Sequence, residues 1–137
     1  MKKTTYSIIF AVMISLTPLA SFAAQTSVEG TIQGFNCVTQ GTTCPVDKED
    51  PMAGVERVFV LLTDSNDYYY FIPNVDRAVL ARHINEKIRV VGEKNTKYKS
   101  IQASQIHVMK KGDWKKVWDR TAEEDLLKEM QKLTKML

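Results

Sequence analysis

The sequence predicts a mainly β domain with one short helix in its middle and an amphipathic helix at its C-terminal end. Apolar and polar residues alternate with a period of two along several short runs, as in half-buried strands. Turn-forming Asp, Asn, Lys and Gly residues separate these runs. Helical spacing of apolar residues marks residues 75–84 and 126–137. The predicted order is a strand, a two-stranded hairpin, a helix, two further strands, an edge strand and a last helix.

The first strand is predicted over residues 27–38, where Val28 and Ile32 alternate with polar residues. Gly30 and Gly34 fall within it. Glycine weakens a flat strand, but it suits a sharp bend or a bulge, as at the corner of a barrel. The first strand is therefore expected to bend.

Two β-prone runs, residues 57–63 and 68–72, flank the polar turn 64–67, which predicts a hairpin. Pro73 ends the second run, and Asn74 is expected to cap a short helix that reaches Ile84. This helix lies between the third and fourth strands.

The fourth and fifth strands are predicted over residues 87–92 and 101–109. In the fifth strand the apolar pattern slips by one residue. Ile101 and Ile106 are five positions apart, so in a regular strand their side chains would point to opposite faces. A one-residue bulge near Ser104 and Gln105 would bring both into one core. A tight turn at 110–113 then leads to an edge strand over 114–118.

The last segment is predicted to be a helix that begins with a capping box formed by Thr121 and Glu124. Apolar residues form a narrow stripe along it. The stripe is expected either to pack on the barrel or to form a seam with a partner or a second copy. It consists of Leu126, Met130, Leu133 and Leu137.

This order of elements resembles the OB-fold, a partly open five-stranded Greek-key barrel. The resemblance covers residues 27–109 and is closest to the small exported bacterial OB-fold proteins. The glycine-bent first strand and the strand Ile88–Gly92 after the helix carry it. It implies a fold and no catalytic or ligand residues. The expected organisation is an OB-fold-like domain over residues 24–119 and a helix over 120–137.

Residues 1–23 have the features of a secretory signal peptide. Lys2 and Lys3 precede a short apolar run, and small residues lie before an expected cleavage site after Ala23. This apolar run is too short for a comfortable membrane span, and no second one follows. The expected location is the periplasm or the extracellular medium. Cleavage leaves 17 basic against 16 acidic side chains, so a net charge of about +1 gives no global reason to expect nucleic acid as a partner.

Cys37 and Cys44 are the only cysteines, an even count in an exported chain, and they predict a disulfide. The bridge would close a loop of eight residues and stabilise the domain by roughly 2–3 kcal/mol. Two alternatives stay open. A redox pair usually has a shorter spacing, and a thiolate metal site needs further ligands nearby.

Two surfaces are candidates for ligand binding. Tyr68, Tyr69 and Tyr70, with Arg89, form a candidate ligand face, because OB-folds bind ligands across their second and third strands. Alternation predicts that two of the aromatic residues 68–71 point into the core. The second candidate is an anion-binding patch on two turns near Trp114 and Trp118. Its members are Lys94, Lys97, Lys99, Lys110, Lys111, Lys115 and Lys116.

No catalytic constellation is recognisable. His83 and His107 stand alone, without the spacing of metal ligands, and no cofactor or metal is expected. The sequence therefore predicts a non-enzymatic binding or adaptor protein whose partner is a small ligand or a protein. Assembly through the last helix, including homo-oligomerisation, and a redox or metal-handling role of Cys37 and Cys44 are the alternatives.

Overall fold

The computed structural model describes residues 25–44, 56–65 and 68–136. The predicted signal peptide and most of the polar connection before residue 56 lie outside these residues. Within them the chain forms six strands and three helices. In chain order these are β1 (Thr26–Gly34), α1 (Phe35–Thr39), β2 (Phe59–Thr63), β3 (Tyr69–Phe71), α2 (Arg77–Ala81), β4 (Lys87–Asn95), β5 (Ser100–Lys110), β6 (Asp113–Asp119) and α3 (Arg120–Thr134).

The strands form one sheet in the order β3-β2-β1-β4-β5-β6, in which all neighbours are antiparallel. The sheet curls until β3 also meets β5 in a parallel pairing of Phe71 with Ser100. Phe71 N donates to Lys99 O at 2.7 Å across this junction. Five strands thus make a nearly closed ring, and β6 lies outside it as the predicted edge strand. The mainly β prediction is confirmed, and the ring is compatible with an OB-like fold.

The strand glycines lie where two backbones approach closely. A Cβ on Gly30 would be 2.0 Å from Leu62 O, and a Cβ on Gly92 would be 2.1 Å from Gln102 O. The predicted bulge is also confirmed. Val91 pairs with Gln105 and Gly92 with Ala103, so Ser104 is the extra residue on β5. These features bend the sheet into a ring.

The core fills the inside of the ring. Ile101, Ile106 and Val108 are all fully buried, because the bulge restores their common phase. Ile32, Leu61, Ile88 and Val90 meet them from the other strands, and Leu80 of α2 covers one end. Trp118 of β6 also packs against this core.

Several predicted boundaries are wrong, including the end of α2, which stops at Ala81 instead of reaching Ile84, and the end of β4, which continues to Asn95. β1 ends at Gly34 instead of reaching residue 38, because α1 starts there. The cap of α2 is Asp76, and Asn74 instead bonds the backbone of Ala103 in both directions, at 2.7 and 2.8 Å. The cap of α3 is Asp119, whose side chain accepts from Thr121 N and Ala122 N. In both helices the aspartate just before the first helical residue is the N-cap, and its carboxylate accepts hydrogen bonds from backbone N–H groups of the first turn.

Candidate ligand-binding site

The aromatic run of β3 divides between the two faces of the sheet, as alternation predicted. Tyr70 is buried in the core and Tyr68 packs against the core, with ring centroids 4.8 Å apart. Tyr69 and Phe71 lie on the outer face, where the ring of Phe35 contacts both, at 5.8 and 5.5 Å. Phe35 belongs to α1, so the disulfide-bonded loop covers the outer side of this strand.

The β4–β5 turn places its amines against these rings. Lys99 Nζ lies 4.9 Å from the ring centroid of Tyr68 and 5.1 Å from that of Tyr69. Lys94 Nζ lies 5.5 Å from the ring centroid of Tyr70. These are cation–π distances. Two groups of residues that the sequence offered as separate candidates therefore form one surface.

We call this the tyrosine–lysine surface. Its lysines come from the end of β4 and the β4–β5 turn, and its rings come from residues 68–70 and the same turn, where Lys97 Nζ lies 5.2 Å from the exposed ring of Tyr98. Its members are Tyr68, Tyr69, Tyr70, Lys94, Lys97, Tyr98 and Lys99.

Both the side chain and the backbone of Lys99 contribute to the tyrosine–lysine surface. Its φ of 47° is in the left-handed region, which costs a residue with a side chain about 1 kcal/mol or more. The carbonyl of the same residue accepts the bond from Phe71 N that closes the ring. The strained turn thus fixes the amine over the tyrosines while it joins β5 to β3.

The lysines of this turn differ from those of the β5–β6 hairpin in their partners. In the part of the chain that the structure describes, Lys94, Lys97 and Lys99 make no ion pair. On the hairpin, Lys110 pairs with Glu86 and Lys116 pairs with Asp119, whereas Lys111 and Lys115 make no ion pair with a described residue. The turn therefore presents positive charge that the described carboxylates do not neutralise.

The predicted seven-lysine patch is divided by the fold. Lys99 precedes β5, while Lys110 ends it and Lys111, Lys115 and Lys116 follow. The eleven residues of β5 span about 35 Å at the usual rise of a strand. The two lysine groups therefore lie at opposite ends of this strand instead of forming a single patch.

Arg89 does not join the tyrosines. It lies on β4, where its Nε and Nη2 donate to Glu29 Oε1 at 2.9 and 2.6 Å. Its guanidinium carbon is 4.1 Å from the ring centroid of Trp114. Because Arg89 alternates with the buried Ile88 and Val90 along β4, its side chain lies on the outer face of the sheet, away from the buried Tyr70.

Comparison with protein-family models, curated proteins and solved structures finds no match to this chain. The function must therefore be inferred from the arrangement of its own residues.

The disulfide is present, with the Cα atoms of Cys37 and Cys44 5.6 Å apart. Cys44 is buried and tied to β1, because its N–H donates to Gln33 Oε1 at 2.9 Å and its sulfur accepts from Gly34 N at 3.2 Å. Asn85 completes this anchor by donating to Cys44 O at 2.6 Å. The bridge thus holds α1, and with it Phe35, against the sheet.

Two residues outside the predicted site, Phe35 and Glu56, also shape this region. Phe35 lay inside the predicted first strand, although an aromatic residue next to a glycine bend was a usable signal. Glu56 is buried at 4% exposure, and its carboxylate accepts from Asn36 N at 3.1 Å and from Val58 N at 3.4 Å. Its position in a long polar connection gave no sign of burial.

The remaining titratable groups form separate small clusters. Burial raises the pKa of Glu86, but hydrogen bonds from Lys110 and His83 outweigh it and lower that pKa overall. Desolvation lowers the pKa of His107 on β5, and the positive charge of Arg89 adds to the effect. Among the described residues, no group of three or more His, Cys, Asp and Glu side chains could hold a metal ion.

The stripe of the last helix is exposed rather than packed on the ring. Leu126, Met130 and Leu133 are 59%, 50% and 63% exposed, and Leu137 lies outside the described residues. No helix in the described ranges combines the length and the apolar character that a membrane crossing requires.

Proposed function

We propose that this protein is an exported, non-enzymatic binding protein with an OB-like fold, and that its tyrosine–lysine surface binds a ligand carrying an anionic group. The observation that carries the proposal is the position of Lys99. Its amine lies against two tyrosine rings without a described carboxylate partner, on a strained turn that also closes the ring of strands.

The arrangement favours an anion over a flat stacking group. Amines already lie at the faces of Tyr68, Tyr69 and Tyr70, so a base or sugar has little free ring face there. A phosphate, sulfate or carboxylate would instead meet the amines of Lys94, Lys97 and Lys99 directly. Tyr98, 64% exposed, offers an adjacent ring for the apolar part of such a ligand.

The expected export supports the same function. The first 23 residues have the pattern of a signal peptide, and the disulfide is of the kind that persists in oxidising compartments. A metal-handling role would require Cys37 and Cys44 as thiolates, whereas they are bonded to each other, and the burial of Cys44 at 3% exposure shields its sulfur from the attacking thiol that a redox role requires. We therefore assign the bridge a structural role, which is to hold Phe35 over Tyr69.

The first experiment is intact mass spectrometry of the protein purified from the periplasm without reductant. The expected chain lacks residues 1–23 and is two hydrogens lighter than its reduced form. A chain that keeps these residues or remains cytoplasmic would contradict export.

Ligand binding is tested by amide NMR titration with inorganic phosphate, glucose 6-phosphate and oligogalacturonate. Resonances of residues 68–71 and 94–99 should shift, and the double substitution Lys97→Gln with Lys99→Gln should abolish the shifts. The matched control is Lys111→Gln with Lys115→Gln, which removes the same charge from the opposite end of β5 and should leave binding intact. Equal losses in both variants would show that only overall charge matters.

The same spectra test the absence of catalysis. New ligand resonances that appear with time would reveal turnover and overturn the non-enzymatic assignment. Shifts centred on residues 110–116 would move the site to the β5–β6 hairpin and contradict the proposed surface.

A further inference from the structure

A polar cavity lies where the start of β1, the paired parts of β4 and β5, and the start of α3 meet. Its volume is about 250 Å³, which is below the roughly 300–1,000 Å³ of sites that take drug-sized ligands. Every side chain that lines it is polar, and Gly92 contributes none. The lining residues are Gln25, Gly92, Glu93, Gln102, Ser104 and Arg120. The cavity therefore suits a small molecule without a large apolar part.

The sheet places the two charged members of this cavity on opposite flanks of β5. Glu93 on β4 pairs with Gln102 on β5. Arg120 directly follows β6, the other neighbour of β5, and its Nη2 approaches Gln102 Oε1 at 3.5 Å. About two strand spacings, roughly 10 Å, therefore separate the backbones of Glu93 and Arg120. One cavity is thus lined by a carboxylate and a guanidinium that do not meet.

Neither charge is neutralised by another residue that the structure describes. Glu93 and Arg120 take part in none of the ion pairs within the described ranges. Lys94 follows Glu93 in sequence, but its amine lies on the other face of β4, against the ring of Tyr70. Asp119 precedes Arg120, but its carboxylate pairs with Lys116 and caps α3. The cavity therefore keeps one positive and one negative group for a ligand.

The amide of Gln102 adds a hydrogen-bond donor at the positive end. Its Oε1 accepts from Arg120, and its Nε2 has no partner in the described part of the chain. A carboxylate beside Arg120 would accept from both the guanidinium and this amide. At the negative end, the carboxylate of Glu93 accepts no hydrogen bond from a described residue. Its oxygens can therefore accept the hydrogens of an ammonium group.

We propose that this cavity binds a small zwitterion, with its carboxylate at Arg120 and Gln102 and its ammonium group at Glu93. Polar α-amino acids of the size of glycine and serine carry both charges and no apolar side chain. A simple anion would leave Glu93 unpaired, and a simple cation would leave Arg120 unpaired. Because Glu93 is exposed to water, its pairing is weak and the expected dissociation constant is about 1 mM. This site does not depend on the tyrosine–lysine surface or on its proposed function.

The test is amide NMR titration of the full-length, export-processed protein with L-serine and with two molecules that each lack one of its charges. Ethanolamine is serine without the carboxylate, and 3-hydroxypropionate is serine without the ammonium group. Serine should shift the amide resonances of Gly92, Gln102 and Ser104. Ethanolamine and 3-hydroxypropionate should each bind at least about tenfold more weakly than serine.

Substitution of either charge should remove the recognition of only one end of the ligand. Glu93→Gln should weaken serine binding about tenfold and leave the affinity for 3-hydroxypropionate unchanged. Arg120→Gln should weaken serine binding similarly and leave the affinity for ethanolamine unchanged. The matched controls are Glu129→Gln and Arg82→Gln, which remove the same charges from exposed positions outside the cavity. Both controls should bind serine like the wild type, and unshifted resonances elsewhere in each variant should show that it is folded.

Four results would overturn the zwitterion site. The first is the absence of shifts at Gly92, Gln102 and Ser104 with L-serine at up to about 20 mM. The second is equal affinity for serine and for either molecule that lacks one charge. The third is a loss of serine binding in the control variants that matches the loss in Glu93→Gln and Arg120→Gln.

The fourth concerns the amino group that cleavage after Ala23 would create, one residue before Gln25. A fall in the pKa of this amino group in Glu93→Gln would show that the chain's own end occupies the position assigned to the ligand. The double variant of Lys97 and Lys99 should bind serine like the wild type. The zwitterion site and the tyrosine–lysine surface can therefore fail separately.

Discussion

Removal of the disulfide by Cys37→Ala with Cys44→Ala should destabilise the domain by about 3 kcal/mol. Closing a loop of eight residues accounts for about 2.5 kcal/mol through the entropy of the unfolded chain. The remainder comes from the N–H of Gly34, which loses Cys44 Sγ as its acceptor at 3.2 Å. The domain as a whole has about 5–15 kcal/mol of stability, so it should still fold.

Equilibrium urea denaturation followed by circular dichroism measures this loss. With a slope of about 1.5–2 kcal/mol per molar urea, the midpoint should fall by about 1.5–2 M. Reductant should lower the wild-type midpoint and leave the double variant unchanged. Thr43→Ala, a substitution in the same loop that leaves the bridge intact, is the control and should stay close to wild type.

The double substitution of Cys37 and Cys44 should also change the environment of the candidate site. Phe35 is two residues from Cys37, and its ring covers Tyr69 and Phe71, so the ring resonances of Tyr69 should move towards solvent-exposed values. A urea midpoint within about 0.3 M of wild type would contradict this prediction. It would mean that the Gln33 and Asn85 contacts hold the loop without the bridge.

Three further predictions concern the sheet. Gly30→Ala should lower the free energy of unfolding, measured by urea denaturation, by about 3 kcal/mol, because its Cβ would lie 2.0 Å from Leu62 O. A free energy of unfolding close to that of the wild type would show that β1 and β2 can separate without cost. Lys111→Asn should raise the free energy of unfolding by about 1 kcal/mol, because Lys111 has a φ of 53° in the tight turn before Gly112, a conformation that asparagine adopts more easily. An unchanged thermal midpoint would count against backbone strain at this position. His107 has a lowered pKa, so the stability that its neutral form contributes should be present above pH 6.5 and lost as pH falls through the folded pKa. His107→Gln should remove this contribution, and an identical pH profile of the two proteins would contradict it.

Much of the fold could be predicted from local patterns. The hairpin of β2 and β3 and the edge strand β6 follow from β-prone runs and their turns. The bulge at Ser104 was predictable because a phase slip of one residue leaves Ile101 and Ile106 on opposite faces unless an extra residue is inserted. The starts of α2 and α3 were less predictable, since several polar residues could serve as caps.

The candidate site was predictable only in its parts. Tyrosines on one strand and lysines on one turn were visible in the sequence, but their meeting depends on the pairing of Phe71 with Ser100, which closes the ring. Arg89 instead lies on the outer face of β4, where it contacts Glu29 and Trp114. Such long-range pairings leave little trace in local composition, because either partner would form a strand with other neighbours too.

The strand and helix periodicities, the cysteine pair and the apolar stripe of α3 are all visible in the sequence. They depend on local spacing, which each segment carries without reference to the rest of the chain. Folding adds three features: Lys99 lies over Tyr68 and Tyr69, Glu56 is buried beneath α1, and the stripe remains exposed. Those facts depend on which surfaces the closed sheet brings together, because burial and contact are properties of the packed chain and not of any one segment.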